Sequence, residues 1–189
     1  MTLGDGIRKV YMLLDEYSSG GVVTVDPDIE KKMADFFDVA QKDVAGYKRI
    51  IKEQTIPLES GTSEYPLPND LSKIFRVWVD GELTNRYVQK PGVISFPDTG
   101  SGTHSTATVE YFAVPATITQ STPEDYVFEV CEEAANCMPF FVAAQNLMPD
   151  LVVDYSAFLQ QYYQMRGALD VTLPEGDGSG GALRQTLFL

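Results

Sequence analysis

The feature that most constrains this chain is an acidic stretch of helical periodicity at residues 122–169. At its start, Thr122 offers a capping hydroxyl, Pro123 suits the first helical position, and Asp125 suits the positive end of a helix dipole. Apolar residues then recur every three or four positions beside an acidic face, which predicts an amphipathic helix that begins near Thr122. The apolar stripe comprises Val127, Val130, Cys131, Ala134, Ala135 and Met138.

Two prolines divide the rest of this stretch. Pro139 is expected to kink the first helix, and residues 140–144 are apolar on nearly every side, which predicts a buried segment. Pro149 and Asp150 then interrupt the chain before a second helix. The apolar stripe of that helix comprises Leu151, Tyr155, Phe158, Tyr162, Met165 and Leu169. The sequence therefore predicts two helices here that pack against other elements.

Two more helices are predicted near the N-terminus. Thr2 and Asp5 have the spacing of a capping box, followed by apolar residues at helical spacing. A second start signal at residues 26–28 precedes a long apolar stripe that continues to Ile51. The polar face of this long helix is basic and complements the acidic helices, either within one subunit or between neighbours. Its basic residues are Lys31, Lys32, Lys42, Lys48, Arg49 and Lys52.

From residue 55 the periodicity changes from helical to alternating, and prolines and glycines become frequent. Asp80 and Gly81 form the sequence of a type I′ hairpin turn, and strands are predicted at residues 74–79, 93–96 and 107–114. The predicted fold class is α+β. It is mainly a bundle of four helices, with a small antiparallel β-subdomain inserted at residues 55–118 between helical parts at 1–54 and 119–170.

The last part of the predicted division is an extended C-terminal tail at residues 171–189. Residues 175–181 have the glycine-rich composition of a flexible linker, and the residues after them include several large apolar side chains. We expect this apolar end to dock on a neighbouring subunit or on a different protein, the alternative being a tail folded back on its own core. The candidate docking residues are Leu183, Arg184, Leu187, Phe188 and Leu189.

The composition is that of a globular protein with a net charge of −13. Such acidity argues against a protein that binds nucleic acid by neutralising phosphates, although it does not exclude one that surrounds DNA without binding it. No apolar run of transmembrane length and no signal peptide are found, so a soluble protein made in the cytoplasm is expected.

The sequence offers little that could support catalysis. His104 is the only histidine, and it follows a glycine- and serine-rich stretch that predicts an exposed loop. Cys131 and Cys137 are expected to be reduced thiols in the core. Glu132 and Glu133 diverge by about 100° on a helix, so they do not form a convergent acid pair. We expect neither enzymatic activity nor a metal or cofactor.

The order of these elements resembles that of the head-to-tail connector, or adaptor, proteins of tailed bacteriophages. After a short and a long helix comes TSEYPLPNDLSKIFRVWVDGE, then ATVEYFAVPATIT, and finally EEAANCMPFFVAAQNLMPD with YSAFLQQYYQMRGAL. Together these segments span most of residues 1–169. The resemblance rests on their order, since none of them is a catalytic signature.

The resemblance implies a virion structural protein at the head–tail junction. Family members form a homo-oligomeric ring, expected to be a dodecamer, beneath the portal protein, and the next neck or tail protein attaches below. The ring gives the genome a passage channel, and acidic side chains that line it would repel phosphates, so that DNA passes without sequence-specific binding. The candidates for that lining are Glu129, Glu132, Glu133, Asp150 and Asp154.

Three other classes remain open. Another ring of the phage neck, such as a stopper or tail-completion protein, would be richer in β-structure. A non-viral interaction module with an acidic surface would be a monomer. A hydrolase would require His104 beside a carboxylate or beside Cys131.

Overall fold

The computed structural model describes residues 1–17, 27–97, 105–148 and 154–169. These residues form an α+β fold, as predicted, with all strands between the second and third helices. The helices are α1 (Leu3–Tyr17), α2 (Pro27–Tyr47), α3 (Glu132–Leu147) and α4 (Ser156–Gly167). The strands are β1 (Ile50–Pro57), β2 (Glu64–Pro66), β3 (Leu71–Val79), β4 (Glu82–Leu83), β5 (Val88–Lys90), β6 (Val93–Ser95) and β7 (Thr106–Ala113).

The capping box predicted at the N-terminus is confirmed. Thr2 Oγ1 accepts a hydrogen bond from Asp5 N at 3.1 Å, and Asp5 Oδ2 accepts one from Thr2 N at 3.1 Å. The hydrogen bond from the Thr2 backbone, followed by that from Arg8, lowers the pKa of Asp5 to about 2. α1 therefore begins where the local sequence alone indicates.

The predicted start of the third helix is wrong. Residues 122–131 turn irregularly, and α3 begins at Glu132 after an extended Cys131. Within this segment Val127 forms a bridge with Thr2 and is exposed, whereas Phe128 and Val130 are buried in the core. Tertiary pairing with the N-terminus thus overrides the local helix signal at Thr122.

The predicted end of the second helix is also wrong, because α2 ends at Tyr47 and Ile51 lies in β1. Here β1 pairs with β7 in an unbroken antiparallel register from Ile50 opposite Ala113 to Pro57 opposite Thr106. The paired residues are between 49 and 63 positions apart in sequence, and helical periodicity gives no information about so distant a partner. β1 crosses the predicted boundary between residues 54 and 55, and the division into domains stays a prediction.

The strands form two antiparallel sheets, with the orders β1-β7-β3-β4 and β2-β6-β5. The predicted hairpin turn is confirmed: Asp80 and Gly81 both have positive φ, at 50° and 86°, and Val79 pairs with Glu82. A type I′ turn requires this backbone conformation at both central positions. The stretch that contains His104 lies outside the described residues.

α3 lies at the centre of the helices and contacts α1, α2 and α4. The buried segment predicted after Pro139 is confirmed in part, since Val142, Ala143 and Ala144 are fully buried while the two phenylalanines before them are half-buried. α3 continues through Pro139. Its many alanines allow three helices to approach it closely, so a single helical core forms.

A second, smaller core lies between the strands, with Tyr65, Val77, Ile94 and Phe96 among its members. Of the two cysteines, Cys137 is buried, and burial raises the pKa of its thiol. Cys131 is exposed, contrary to expectation, because it precedes α3 instead of lying on its inner face. No helix among residues 1–17, 27–97, 105–148 and 154–169 is long and apolar enough to cross a membrane.

Two glycines give opposite predictions for the same substitution. A Cβ at Gly6 would lie 2.8 Å from Cζ of the fully buried Phe37, whereas a Cβ at Gly46 would have no neighbour within 4 Å. We expect Gly6→Ala to lower the free energy of unfolding by about 1–3 kcal/mol through overpacking. Gly46→Ala should raise it by about 0.5–1 kcal/mol through helix propensity. Urea unfolding of both variants checks this, and equal effects would contradict it.

Candidate interaction surfaces

Three of the acidic candidates lie where the segment after β7 meets α3, and the first of them is engaged within the subunit. Glu129 Oε2 accepts a hydrogen bond from Lys52 Nζ at 3.1 Å, and Glu129 Oε1 accepts one from Ala116 N at 3.3 Å. Its side chain is only 26% exposed. Glu129 therefore connects β1 to the segment that enters α3.

Glu132 and Glu133 are both exposed in the first turn of α3, where the helix dipole favours carboxylates. Glu133 Oε2 accepts a hydrogen bond from Lys48 Nζ at 2.9 Å, and the Glu133 side chain is 73% exposed. The side chain of Glu132 contacts no cation within the described part of the chain. Glu132 is thus the acid in this group whose charge is fully available on the surface.

Asp154 lies at the other end of the helices. Its Oδ1 accepts a hydrogen bond from Ser156 N at 2.9 Å, and hydrogen bonds from the Ser156 side chain and backbone lower the pKa of Asp154. The last turn of α4 and the first turn of α3 both contact the end of α2, so these two helices are antiparallel. α4 has 12 residues, so its start, where Asp154 lies, is about 18 Å from its end. Glu132 lies near that other end, so these two acids are far apart.

The remaining candidates fall outside the residues that the structure describes. They are Asp150 among the acids and all five docking residues of the tail, Leu183, Arg184, Leu187, Phe188 and Leu189. Their roles stay predictions.

Two basic residues that were predicted on the long helix pair with acidic residues of the same subunit, although both follow the end of α2 at Tyr47. Lys48 pairs with Glu133 and Lys52 with Glu129, as the opposite charges of these stretches predict. Asp43 of α2 accepts a hydrogen bond from Arg166 Nη1 at 2.6 Å and another from the Tyr162 hydroxyl. Burial, followed by the hydrogen bond to Asp43, raises the pKa of Tyr162. These contacts fix α4 and the start of α3 to the last turns of α2.

Gln41 is the buried polar side chain of the described core, with 0% exposure. Its Nε2 donates to Ala116 O at 3.2 Å and to the Tyr126 hydroxyl at 3.4 Å. Its Oε1 accepts a hydrogen bond from Glu129 N at 3.0 Å. One amide therefore fixes three points of the 114–131 segment to α2.

A second polar cluster lies beside Gln41, between the helices and the sheet. Lys52 Nζ donates to Asp70 Oδ2 at 2.8 Å as well as to Glu129, and the Tyr111 hydroxyl donates to Asp70 Oδ1 at 3.2 Å. The hydrogen bond from Lys52 lowers the pKa of Asp70, and hydrogen bonds to the two carboxylates raise the pKa of Lys52. Burial, followed by the charge of Asp70, raises the pKa of Tyr111. This junction cluster links β1, β7, the start of β3 and the segment before α3.

Sequence reasoning missed Gln41 and Asp70. Gln41 follows Ala40 on a helix whose apolar stripe includes Phe37 and Val44, so a polar residue at the edge of that stripe was the available signal. Asp70 follows Pro68 and Asn69, a composition that predicts only a turn. The partners of both residues are distant in sequence, and no local pattern identifies them.

A comparison with protein-family models matches residues 1–184 to the family described as SU10 adaptor protein. No curated protein matches the chain.

The junction cluster predicts a pH-dependent effect of one substitution. Lys52→Met should lower the free energy of unfolding by about 1–3 kcal/mol at pH 7, because two carboxylates lose a shared hydrogen-bond donor. Since the pKa of Asp70 is lowered in the folded state, this stabilisation is present above the ordinary value of 3.8 and is lost as the pH falls through the folded pKa. Urea unfolding between pH 3 and pH 7 measures the difference.

A matched control is Lys73→Met, because Lys73 is exposed and forms no ion pair with any described residue. A difference between wild type and Lys52→Met that did not shrink below pH 4 would contradict the role assigned to the carboxylates.

Proposed function

Because the chain belongs to the SU10 adaptor protein family, a phage head-to-tail adaptor family, we propose that it forms a ring below the portal protein of a tailed bacteriophage. It is accordingly a virion component that interacts with other head and tail proteins. The family match over residues 1–184 is the observation that supports this proposal most strongly. The proposed ring is expected to be a dodecamer. In it each subunit contacts its two neighbours through two different surfaces, and the rotation between successive subunits closes the ring.

We propose that the helices act as one bundle and the strands as an inserted unit. The helices share one apolar core and the strands share another, which favours this division. The chain enters the strands by β1 and leaves by β7, and these two strands are hydrogen-bonded neighbours. Such an insertion can project from a ring without interrupting the helical contacts, so it is suited to attach a downstream neck or tail protein.

The proposed channel lining rests on the charge at the start of α3. Glu132 is exposed and contacts no cation among the residues described, so its charge would act on DNA phosphates at close range. A ring multiplies this charge by the number of subunits, and repulsion would let the genome pass during ejection without binding. Glu129 is a weaker candidate because Lys52 neutralises it.

We propose that the protein is not an enzyme and needs no cofactor. A stopper or tail-completion protein is the nearest alternative; the four helices favour an adaptor over these more β-rich proteins. The mass of the purified protein, alone and with its portal protein, discriminates between a ring component and a monomeric acidic interaction module.

The tail is expected to bind the portal protein or an adjacent subunit in the assembled neck. Deletion of residues 171–189 should leave the circular dichroism spectrum nearly unchanged and weaken binding to the portal protein about tenfold or more, because apolar anchors dominate interface energies. Native mass spectrometry of the mixture measures this. The control replaces residues 175–181 with a Gly/Ser linker of equal length and should bind like wild type, whereas unchanged binding of the deletion variant would exclude tail docking.

The electrostatic lining is tested at Glu132. Glu132→Lys should permit ring formation and slow DNA ejection roughly severalfold, since each subunit would then attract phosphates. The time course of ejection from particles assembled with the variant is the measurement. Glu132→Gln removes the negative charge without adding a positive one, so it separates the loss of repulsion from a new attraction to phosphates. Glu82→Lys on the exposed β4 makes the same change in net charge elsewhere and is the control for net charge. Wild-type kinetics for Glu132→Lys would place this residue away from the channel.

A further inference from the structure

The outer surface of α4 differs from those of α1 and α2 because it has almost no charge. Within Ser156–Gly167, Arg166 is the only charged residue, whereas charged residues recur along α1 and α2. A surface helix ordinarily has a charged outer side, and 22% of this chain is charged, so α4 is unusual for it. The exposed side chains of α4 form a neutral face, which comprises Ser156, Ala157, Gln160, Gln161, Tyr163 and Gln164.

The one cation of α4 is neutralised and largely covered within its own subunit. Arg166 Nη1 lies 2.6 Å from Asp43 Oδ2, and the Arg166 side chain is only 20% exposed. Its guanidinium also lies against two tyrosine rings, with Cζ 4.3 Å from the ring centroid of Tyr47 and 4.9 Å from that of Tyr163. Arg166 therefore adds little charge to the neutral face, and it holds two tyrosines side by side at the edge of that face.

These features are typical of the centre of a protein interface, where charged side chains are depleted and tyrosine is enriched. Tyr47 and Tyr163 are 37% and 51% exposed. Because Arg166 contacts both rings, little side-chain entropy would be lost when a partner covers them. Asp154 is exposed just before α4 and would lie at the rim of such a contact.

The net charge of the chain indicates which partner fits this face. Two copies that each carry a charge of −13 repel each other, and they approach most easily through surfaces without charge. Nucleic acid does not fit, because α4 offers phosphates only Arg166, which is already paired with Asp43. A basic partner would gain by contacting carboxylates, and the neutral face has none. A second copy of this chain is therefore the partner that the neutral face suits.

We propose that the neutral face, together with Tyr47, is a surface through which one subunit binds a second copy. The assignment rests on the proposed ring, because it names one of the two different surfaces through which successive subunits meet. α4 has 12 residues and is about 18 Å long, so one such contact covers less area than a stable dimer needs. Two free subunits should therefore bind weakly, and closure of the ring stabilises the contact by holding each subunit on two sides.

Gln→Glu substitutions of nearly equal size test this surface. Gln160→Glu and Gln164→Glu each place a carboxylate on the neutral face. Each should raise the protein concentration at half-assembly about tenfold or more, because a charge would be buried without a partner. Gln89→Glu makes the same change on the exposed strand β5 and should assemble like wild type. Sedimentation equilibrium measures the mass of each protein alone and with the portal protein, so assembly that requires the portal protein is also detected.

The salt dependence of assembly is a second measurement, and it needs no substitution. NaCl screens the repulsion between like-charged copies, so wild type should assemble about threefold or more tightly at about 0.5 M than at about 0.05 M NaCl. A contact made by ion pairs would weaken over the same range.

Equal assembly of wild type and both neutral-face variants would overturn the assignment, as would assembly that weakens with salt. If variants that assemble normally failed to bind the portal protein, the face would belong to that contact instead. In each of these outcomes wild type still assembles, so the proposed ring stands. A wild type that stays monomeric both alone and with the portal protein would overturn the ring and this contact together.

Discussion

The fold depends on the buried side-chain amide of Gln41. This amide binds the segment that follows β7 to α2, the helix that precedes the strands. A fully buried amide is tolerated only when its donors and acceptor are bonded, and Gln41 bonds to Ala116, Tyr126 and Glu129. The segment after β7 has little regular structure, so its backbone groups need partners elsewhere; Asp38 of α2 also accepts a hydrogen bond from Ile118 N at 2.9 Å. Its position in turn decides where α3 begins, and α3 is the helix around which the other three pack.

The junction cluster extends this arrangement to the sheet. Lys52 lies in β1, Asp70 just before β3 and Tyr111 in β7, so one set of hydrogen bonds joins the strands to the segment that Gln41 holds. Removing any one member would leave charged or polar groups without partners in a half-buried site, and such clusters therefore favour a single geometry. The two apolar cores supply most of the burial, while these polar contacts fix the relative placement of the parts.

The candidate functional features lie together at this end of the helices. The last turns of α2 and α4 and the first turn of α3 meet there, beside the ends of β1 and β7. Glu132 and Leu169, the last residue that the structure describes, both lie in this region. The chain belongs to a family of phage head-to-tail adaptors, and this end of the helices is where the contacts proposed for it would meet. Lys48 pairs with Glu133 and Lys52 with Glu129, so the carboxylate of this group without a cation partner among the described residues is Glu132.

Local sequence determined the α+β class, the capping box at Thr2 and Asp5, and the hairpin turn at Asp80 and Gly81. It also determined part of the buried faces of α3 and α4, namely Ala134, Ala135, Met138, Phe158 and Tyr162. Each of these is decided by contacts within about one turn or one hairpin, where spacing and residue type are sufficient. Only the tertiary structure decided that α2 stops at Tyr47, that Thr122 starts no helix, and that Glu129 is occupied by Lys52. In each case a contact with a residue far away in sequence overrides the local preference. β7 pairs with β1, Thr2 forms a bridge with Val127, and Lys52 of β1 pairs with Glu129. The free energy of pairing across the fold exceeds the small propensity differences that a sequence pattern records.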